Sequence, residues 1–328
     1  MIVDIHAHFT PPEWIAAIRR DHARYGCRVE ENDQGGLALS VGDSRPAPLQ
    51  PFLSDLPSRL ESMEQRGLEH QVLAPPMTIV TYQSEGIHGQ ALARLFNETN
   101  LEISRTSPGL IPVATVPMQS SHAAVEELKY AVEVLGIRMV EIGTHINGVN
   151  LDHEAFRPFF RCAADLGVLV QLHPHRVAAA DRLQRYYMNN LVGNPMDTTI
   201  AATSLILGGV MDELPTLNVC LVHGGGALPF LLGRVVHGHQ AVAAANSVPG
   251  DPEVYFRRFY FDTILHNPRM LAFLHQMVGE ERLMLGSDYP YDMGEEDPLG
   301  FLAQAGLRKS APICGGNAAR LLALEENG

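Results

Sequence analysis

The alternation of short apolar runs with helical segments is the feature that most constrains the fold of this chain. Eight runs rich in β-branched and aliphatic residues recur along the sequence. They predict strands at Ile2–Ile5, His70–Ala74, Leu110–Ala114, Ile137–Glu141, Val168–Leu172, Leu217–Val222, Phe259–Phe261 and Leu283–Leu285. Strands that alternate with helices favour a parallel sheet. A count of eight favours its closure into a (β/α)8 TIM barrel.

Segments with helical periodicity lie between these runs. Examples are Ala91–Arg105, Ser121–Leu135, His153–Leu166, Thr199–Met211 and Leu228–Ala245. An open doubly wound sheet is disfavoured, because no glycine-rich dinucleotide fingerprint follows any of the predicted strands. The length of 328 residues suits one barrel, since such barrels commonly have ~250 residues and more with insertions. We therefore predict a single domain spanning residues 1–328.

Residues 24–52 interrupt the alternation. Two short alternating runs, Cys27–Glu30 and Leu37–Val41, flank the pair Gly35-Gly36. Three prolines follow them: Pro46, Pro48 and Pro51. This pattern predicts a β-hairpin and a loop inserted after the first strand. An insertion there lies at the carboxyl-terminal mouth of the barrel, where active sites of this fold are built.

The charge balance limits the partners of the chain. Its 24 Lys and Arg face 37 Asp and Glu, which gives a formal charge of −13. Such a surface repels phosphate backbones and anionic lipid, which argues against nucleic-acid or membrane partners. The sequence contains no signal-peptide pattern and no stretch of ~18 uncharged apolar residues. Four widely spaced cysteines are typical of a reducing compartment, so we expect a cytoplasmic protein.

Two histidines, His6 and His8, follow the first predicted strand. Residues two apart on a strand face the same side, so both imidazoles can point at one ion at the barrel mouth. The same spacing at His237 and His239 falls in a helical pattern. Residues two apart on a helix point about 200° apart, so that second pair should not chelate a metal.

Polar residues also follow three further predicted strands. Strand five ends with His173 and His175, strand six is followed by His223, and strand eight is followed by Asp288. Each of them alone also has a structural explanation. In a barrel, however, the carboxyl ends of all strands converge on one mouth, and three imidazoles with one carboxylate suit zinc.

These motifs resemble the amidohydrolase superfamily. The segments that carry the resemblance are His6-Ala7-His8, His173, His223–Arg234 and Arg282–Glu295. The similarity extends from His6 to Asn317, and it is greatest to the branch that contains α-amino-β-carboxymuconate-ε-semialdehyde decarboxylase. The resemblance implies one divalent metal ion, with zinc as the expected ion.

The resemblance also implies roles for individual residues. The implied metal ligands are His6, His8, His173 and Asp288. It implies His223 as the nearby acid/base, and Asp288 counts among the catalytic residues as well as the ligands.

The lysines support a single metal ion. Binuclear relatives bridge two ions with a carboxylated lysine at a strand end. This chain has two lysines, Lys129 and Lys309, and both fall in predicted helical segments. The same count argues against a strand-end Schiff-base lysine and hence against a pyridoxal cofactor.

Two arginines match residues that bind the substrate carboxylate in this branch. They are Arg45, in the insertion, and Arg234, about 11 residues into the helix after strand six and ~16 Å from its start. A guanidinium offers a carboxylate two parallel donors. Because Arg234 is too far to reach its own site, the resemblance implies a homodimer in which it serves the neighbouring subunit. The alternative for either arginine is an ordinary surface charge.

Two residues depart from the branch. His175 stands where the branch has a bulky aromatic residue, and Tyr291 adds a hydroxyl where the branch is apolar. We expect both to contact the substrate. Asp4 and Asp262 are expected to be structural carboxylates or to support the ligands.

We therefore predict a metal-dependent, non-oxidative decarboxylase of a small unsaturated carboxylic acid. The same apparatus can hydrolyse an amide or lactone, or hydrate a double bond, so a hydrolase or hydratase is the alternative. Ring-carboxylate decarboxylases resembling γ-resorcylate decarboxylase usually carry Glu in place of the first ligand histidine, so His6 disfavours them. A non-catalytic metal-binding barrel is the minor alternative.

Overall fold

The computed structural model describes residues 1–32, 35–42 and 46–325. Its strands are β1 (Val3–Asp4), β2 (Cys27–Glu31), β3 (Leu37–Val41), β4 (Ala47–Leu49), β5 (His70–Leu73), β6 (Leu110–Pro112), β7 (Met139–Gly143), β8 (His145–Ile146), β9 (Val149–Asn150), β10 (Leu169–His173), β11 (Asn218–Leu221), β12 (Tyr260–Asp262) and β13 (Leu283–Met284). Its α-helices are α1 (Pro12–Arg20), α2 (His22–Tyr25), α3 (Leu56–Arg66), α4 (Gly86–Thr106), α5 (Ser121–Lys129), α6 (Arg157–Leu166), α7 (Asn194–Leu207), α8 (Val210–Glu213), α9 (Leu228–Ala241), α10 (Pro252–Phe256), α11 (Pro268–Val278), α12 (Pro298–Gln304) and α13 (Asn317–Leu322).

Eight of these strands form a parallel barrel. β1, β5 and β6 pair in that order, and β7, β10, β11, β12 and β13 form a second run. Backbone hydrogen bonds join the two runs at both edges. The Ala114 N–H donates to the Met139 carbonyl at 2.8 Å, and the Ile5 N–H donates to the Leu285 carbonyl at 2.8 Å. The predicted (β/α)8 barrel is therefore confirmed, with each strand within a few residues of its predicted position.

Apolar side chains fill the barrel and the layer around it. One buried cluster contains a residue from each of the eight barrel strands and is covered by Leu321 and Leu322 of α13. A cluster to which all eight strands contribute lies inside the barrel, so this end of the barrel is packed rather than open. A larger cluster lies between the strands and the helices and includes Val140, Phe159 and Leu205.

The insertion is a three-stranded antiparallel sheet, one strand more than the predicted hairpin. β2 pairs with β3 and β3 pairs with β4, where Ala38 lies opposite Pro48. The prolines of this region suggested a loop, but β4 is an edge strand. An edge strand tolerates proline because half of its backbone groups need no partner. Trp14 and Ile18 of α1 pack with the insertion in a separate buried cluster.

Two details of the helices differ from the sequence-based prediction. α9 begins at Leu228, so Arg234 lies about two turns into it rather than three. Lys309 lies in a turn after α12 and not in a helix, and it belongs to no barrel strand. None of the helices in the described ranges is long and apolar enough to cross a membrane.

Candidate active site

Four side chains that the sequence suggested as ligands meet at one end of the barrel. His6 and His8 follow β1, His173 ends β10, and Asp288 follows β13. One ligand atom from each residue lies within 4.8 Å of all the others, and all four residues are buried. Over the described part of the chain this is the one such group of histidine, cysteine and carboxylate side chains. His237 and His239 are not part of it.

In each of the three histidines, the hydrogen-bond partner of Nδ1 determines whether Nε2 is unprotonated. Nδ1 of His8 lies 3.4 Å from the Pro75 carbonyl, and Nδ1 of His173 lies 3.0 Å from the Pro174 carbonyl. A carbonyl can only accept, so both Nδ1 atoms carry the proton. Nδ1 of His6 lies 2.7 Å from a carboxylate oxygen of Asp262. The neutral form of each ring therefore turns an unprotonated Nε2 towards the centre of the group.

The centre of the group fits a cation. Nε2 of His6 and Nε2 of His8 are only 3.1 Å apart, and Oδ1 of Asp288 lies 3.4 and 3.2 Å from them. Among the described residues this oxygen accepts no hydrogen bond. Electron pairs that converge in a buried space repel one another unless a positive charge lies between them. Three imidazoles and one carboxylate form a donor set that suits zinc and other divalent first-row metals.

The pKa values of the group agree with this interpretation. Burial, together with the neighbouring imidazoles of His8 and His6, holds the pKa of His173 well below its usual value. Burial alone would also lower the pKa of His6, but Asp288 and Asp262 outweigh it and raise the pKa to about 9. A metal entering this site must therefore displace a proton, as metal binding to imidazole generally does.

Asp262 contacts both the candidate ligand His6 and the turn that carries His223. It lies at the end of β12 and is fully buried. Besides facing Nδ1 of His6, it accepts hydrogen bonds from the backbone N–H groups of His223 at 2.9 Å and Gly224 at 2.8 Å. A carboxylate behind a ligand histidine fixes its tautomer and ring orientation. The expected supporting role of Asp262 thus has a specific set of contacts.

Asp4 connects the start of the barrel to the segment that carries Asp288. It accepts hydrogen bonds from the backbone N–H of His6 at 3.2 Å, from the backbone N–H and hydroxyl of Ser287, and from Nε2 of Gln71 at 2.8 Å. These contacts hold the segments before two of the candidate ligands in one arrangement.

His223 lies beside the four-residue group. Its Nε2 is 3.7 Å from Oδ2 of Asp288, and its buried Nδ1 has no hydrogen-bond partner in the described ranges. His223 has a φ of 55° and is followed by Gly224, Gly225 and Gly226, whose φ values are also positive. A Cβ on Gly226 would lie 2.0 Å from the Pro195 carbonyl oxygen, so only glycine fits there. The turn places the His223 ring beside Asp288, where it can exchange a proton with a bound molecule.

A cavity of about 280 Å³ opens beside His223 and Asp288. Its lining includes the polar residues Asn190, Asn194 and His266 and the apolar residue Met293. The volume suits a small organic molecule. No sequence pattern pointed to these four residues, because they lie outside the barrel strands and form no motif. Their positions depend on how the connections between strands and helices fold over the mouth.

The other candidate substrate-binding residues differ in position. The ring of Tyr291 lies 5.2 Å from the ring of His8, and burial raises the pKa of its hydroxyl. His175 is mostly buried, and its Nε2 has no partner in the part of the chain that the structure describes. Arg234 is exposed on α9 and does not line the cavity. Arg45 lies outside the described residues.

Glu141 was not singled out in the sequence. It lies on β7 opposite Gln171 of β10 and is fully buried. Neither carboxyl oxygen has a hydrogen-bond partner among the described residues. An unpaired buried polar group costs about 1–3 kcal/mol, and more if it is charged. Burial therefore raises the pKa of Glu141 to about 8, and His6 only partly opposes this effect.

Comparisons with known proteins agree with this geometry. The family model described as Amidohydrolase matches residues 3–324. The chain belongs to the amidohydrolase family. It is 30% identical to the 2-amino-3-carboxymuconate-6-semialdehyde decarboxylase of Dictyostelium discoideum, over 99% of this chain and 92% of that protein. The substrate in that name is the compound also written α-amino-β-carboxymuconate-ε-semialdehyde. The predicted resemblance to this branch is confirmed.

Solved structures show the same fold. 5-Carboxyvanillate decarboxylase from Sphingomonas paucimobilis matches with a TM-score of 0.82 at 24% identity, and the match covers 99% of each chain. A dihydroxybenzoic acid decarboxylase from Polaromonas sp. JS666 matches with a TM-score of 0.79 at 19% identity, over 99% of this chain and 97% of that one, and contains bound manganese. In this chain the cluster of His6, His8, His173 and Asp288 indicates a divalent-metal site. The prediction of a metal-dependent decarboxylase of this superfamily is confirmed at the level of class.

Glu141 makes the stability of the metal-free protein depend on pH. Its folded pKa of about 8 lies above the usual value of 4.5, so the folded state binds more protons than the unfolded state between these values. The free energy of unfolding should therefore fall as the pH rises through this window. Replacing Glu141→Gln removes the titration, and the stability of the variant relative to the unsubstituted protein should increase from pH 5 to pH 8. Thermal unfolding of chelator-treated proteins measures this. An unchanged difference at the two pH values would contradict it.

Proposed function

We propose that this chain removes carbon dioxide from a small unsaturated carboxylic acid, with α-amino-β-carboxymuconate-ε-semialdehyde as the first candidate substrate. The observation that carries the proposal is the convergence of three imidazoles and Asp288 next to His223, at the wall of a cavity of about 280 Å³. The relative that shares 30% of its residues over nearly the whole chain acts on that compound by name.

His6, His8, His173 and Asp288 would hold the metal, and zinc is the ion that we propose. A bound divalent ion supplies Lewis acidity, which stabilises negative charge and lowers the pKa of water. The outer contacts of the imidazoles, to Asp262 and to two backbone carbonyls, keep the ligand rings in fixed tautomers.

His223 would transfer the proton. In decarboxylation the bond between the carboxylate and the neighbouring carbon breaks, its electron pair stays on that carbon, and a proton takes the place of the carboxylate. His223 faces both Asp288 and the cavity, and its Nδ1 is not engaged by any described residue. The ring is therefore free to take up a proton and deliver it to the substrate carbon. Tyr291 and His175 would contact the substrate.

A homodimer would complete the substrate site. Arg234 is exposed on α9 and does not line the cavity of its own chain. Four residues earlier on the same helix, Phe230 is 64% exposed and stacks on Phe273 with 5.1 Å between ring centroids. An exposed aromatic side chain beside an arginine is typical of an interface. We propose that a second copy covers this face and that Arg234, with Arg45, binds a substrate carboxylate.

Metal content tests the ligand assignment. The purified protein should contain about one divalent ion per chain, and His6→Ala should lose it. His237→Ala is the matched control, since His237 is an exposed histidine on α9 outside the cluster; it should keep the ion. Elemental analysis after dialysis, with circular dichroism to confirm folding, gives the answer. Equal metal content in the two variants would remove the basis of the proposal.

Turnover tests His223. His223→Ala should keep its metal and lose about 10²–10⁴-fold in kcat, because general acid/base catalysis contributes that much. Release of carbon dioxide from α-amino-β-carboxymuconate-ε-semialdehyde, measured with the metal-loaded protein, provides the assay. Full turnover in the variant would exclude His223 as the acid/base. A product that has gained water instead of losing carbon dioxide would identify a hydrolase or hydratase.

Mixing two inactive variants tests the dimer. If Arg234 acts in the neighbouring subunit, then Arg234→Ala and His223→Ala should complement each other after they are unfolded and refolded together. Random pairing in a two-fold dimer restores about one quarter of the sites. Each variant refolded alone is the control. The absence of recovery, or a monomeric mass by light scattering, would show that Arg234 has no role across an interface.

A further inference from the structure

A buried arginine contacts the segments that carry two of the candidate metal ligands. Arg59 of α3 is only 1% exposed, which is unusual for a charged side chain. Burial lowers the pKa of Arg59 to about 10, so the guanidinium still carries its charge at neutral pH. Burying a cation is unfavourable unless its N–H groups find partners. The partners of Arg59 therefore show what the structure gains from it.

The guanidinium donates hydrogen bonds in two directions. Nη2 donates to the backbone carbonyl of His8, and Nη1 donates to Oε1 of Gln71. Gln71 in turn donates from Nε2 to Asp4 at 2.8 Å. Asp4 accepts hydrogen bonds from the backbone N–H and the hydroxyl of Ser287, the residue before Asp288. One planar group is thus linked directly to one candidate ligand and through two side chains to the segment of another.

The same guanidinium also contacts an aromatic ring in each of the same two segments. The centre of the Arg59 guanidinium lies 5.1 Å from the ring centroid of Phe9 and 4.9 Å from that of Tyr289. Phe9 follows His8 and Tyr289 follows Asp288 in the sequence. The backbone also connects the segments, since the His8 N–H donates to the Tyr289 carbonyl at 2.7 Å.

We propose that Arg59 is a positioning residue of the metal centre, which sets the placement of His8 relative to Asp288 through its hydrogen bonds to His8 and Gln71 and its stacking on Phe9 and Tyr289. The proposal rests on the proposed role of His8 and Asp288 as ligands. A guanidinium can do this because its donors are fixed in one plane while both faces of the plane remain free. The ammonium group of lysine lacks this planar fork, so it cannot donate to His8 and Gln71 in the same fixed geometry.

The same helix provides a matched control. The guanidinium of Arg66 lies 5.0 Å from the ring centroid of Tyr289 and donates to the Glu295 carbonyl. Within the described ranges it forms no hydrogen bond with His8 or Gln71. Arg66 therefore shares the helix, the charge and the contact with Tyr289 with Arg59, but it lacks the hydrogen bonds of Arg59 to His8 and Gln71.

The test compares Arg59→Lys with Arg66→Lys. The dissociation constant for Zn²⁺ is measured by competition with a chelator, and the visible absorption of the Co²⁺-loaded protein reports ligand geometry. Arg59→Lys should raise the dissociation constant about 10–100-fold, as loss of a residue supporting metal ligands generally does, and should change the Co²⁺ spectrum. Arg66→Lys should match the unsubstituted protein in both measurements. Wild-type affinity and an unchanged spectrum in Arg59→Lys would overturn the proposal, since a role in charge alone is restored by lysine.

Two further measurements keep the outcome decisive. If Arg59→Lys does not fold, Gln71→Leu replaces it, because leucine cannot link Arg59 to Asp4. Gln71→Leu with normal zinc affinity and a normal Co²⁺ spectrum would then overturn the proposal. An unsubstituted protein that binds no metal would refute the proposed function itself. A protein that binds metal equally well with and without the substitution at position 59 would refute only the role of Arg59.

Discussion

The structure of the site depends on the convergence of imidazole ring nitrogens on one buried point. Nε2 of His6 and Nε2 of His8 are 3.1 Å apart, and Asp288 adds a carboxylate oxygen within 3.4 Å of both. Without a metal ion, the proton on His6, whose pKa is about 9, supplies positive charge at this point, and the surrounding structure fixes the opposite edge of every ring. Carbonyl and carboxylate acceptors at the Nδ1 atoms prevent the rings from turning or changing tautomer. The contacts around the site thus keep the rings in place whether the positive charge between them is a proton or a metal ion.

The position of the site could be predicted from the sequence, because the constraint there is local. In a parallel barrel the carboxyl end of each strand reaches the same mouth, so His6, His173 and Asp288 must meet there once their strands are recognised. The strands themselves could be recognised because buried runs alternate with helical patterns. The family motifs around His223 and Asp288 pointed to the same residues, and the decarboxylase class agrees with the relatives.

Other parts of the structure arise from contacts that the sequence does not encode locally. Arg59 reaches His8 across 51 residues, and Asp262 reaches His6 across 256. Neither spacing follows from a periodic pattern. Glu141 looked like an ordinary strand residue because its unusual property, a carboxyl without partners, appears only after the barrel closes. The third strand of the insertion was missed because Pro48 disfavours a strand except at the edge of a sheet.

The insertion has a core of its own, in which Trp14 and Ile18 are buried against its strands. It nevertheless reaches the mouth, because the ring of Phe52 at its end lies 6.1 Å from the ring of Tyr291, which in turn contacts His8. The insertion beside the site and the ligands in the barrel are therefore stabilised by different sets of packing contacts. Sequence changes in the insertion can alter which molecules enter the site while leaving the ligand geometry intact. Substrate range and metal chemistry can accordingly diverge at separate rates during evolution.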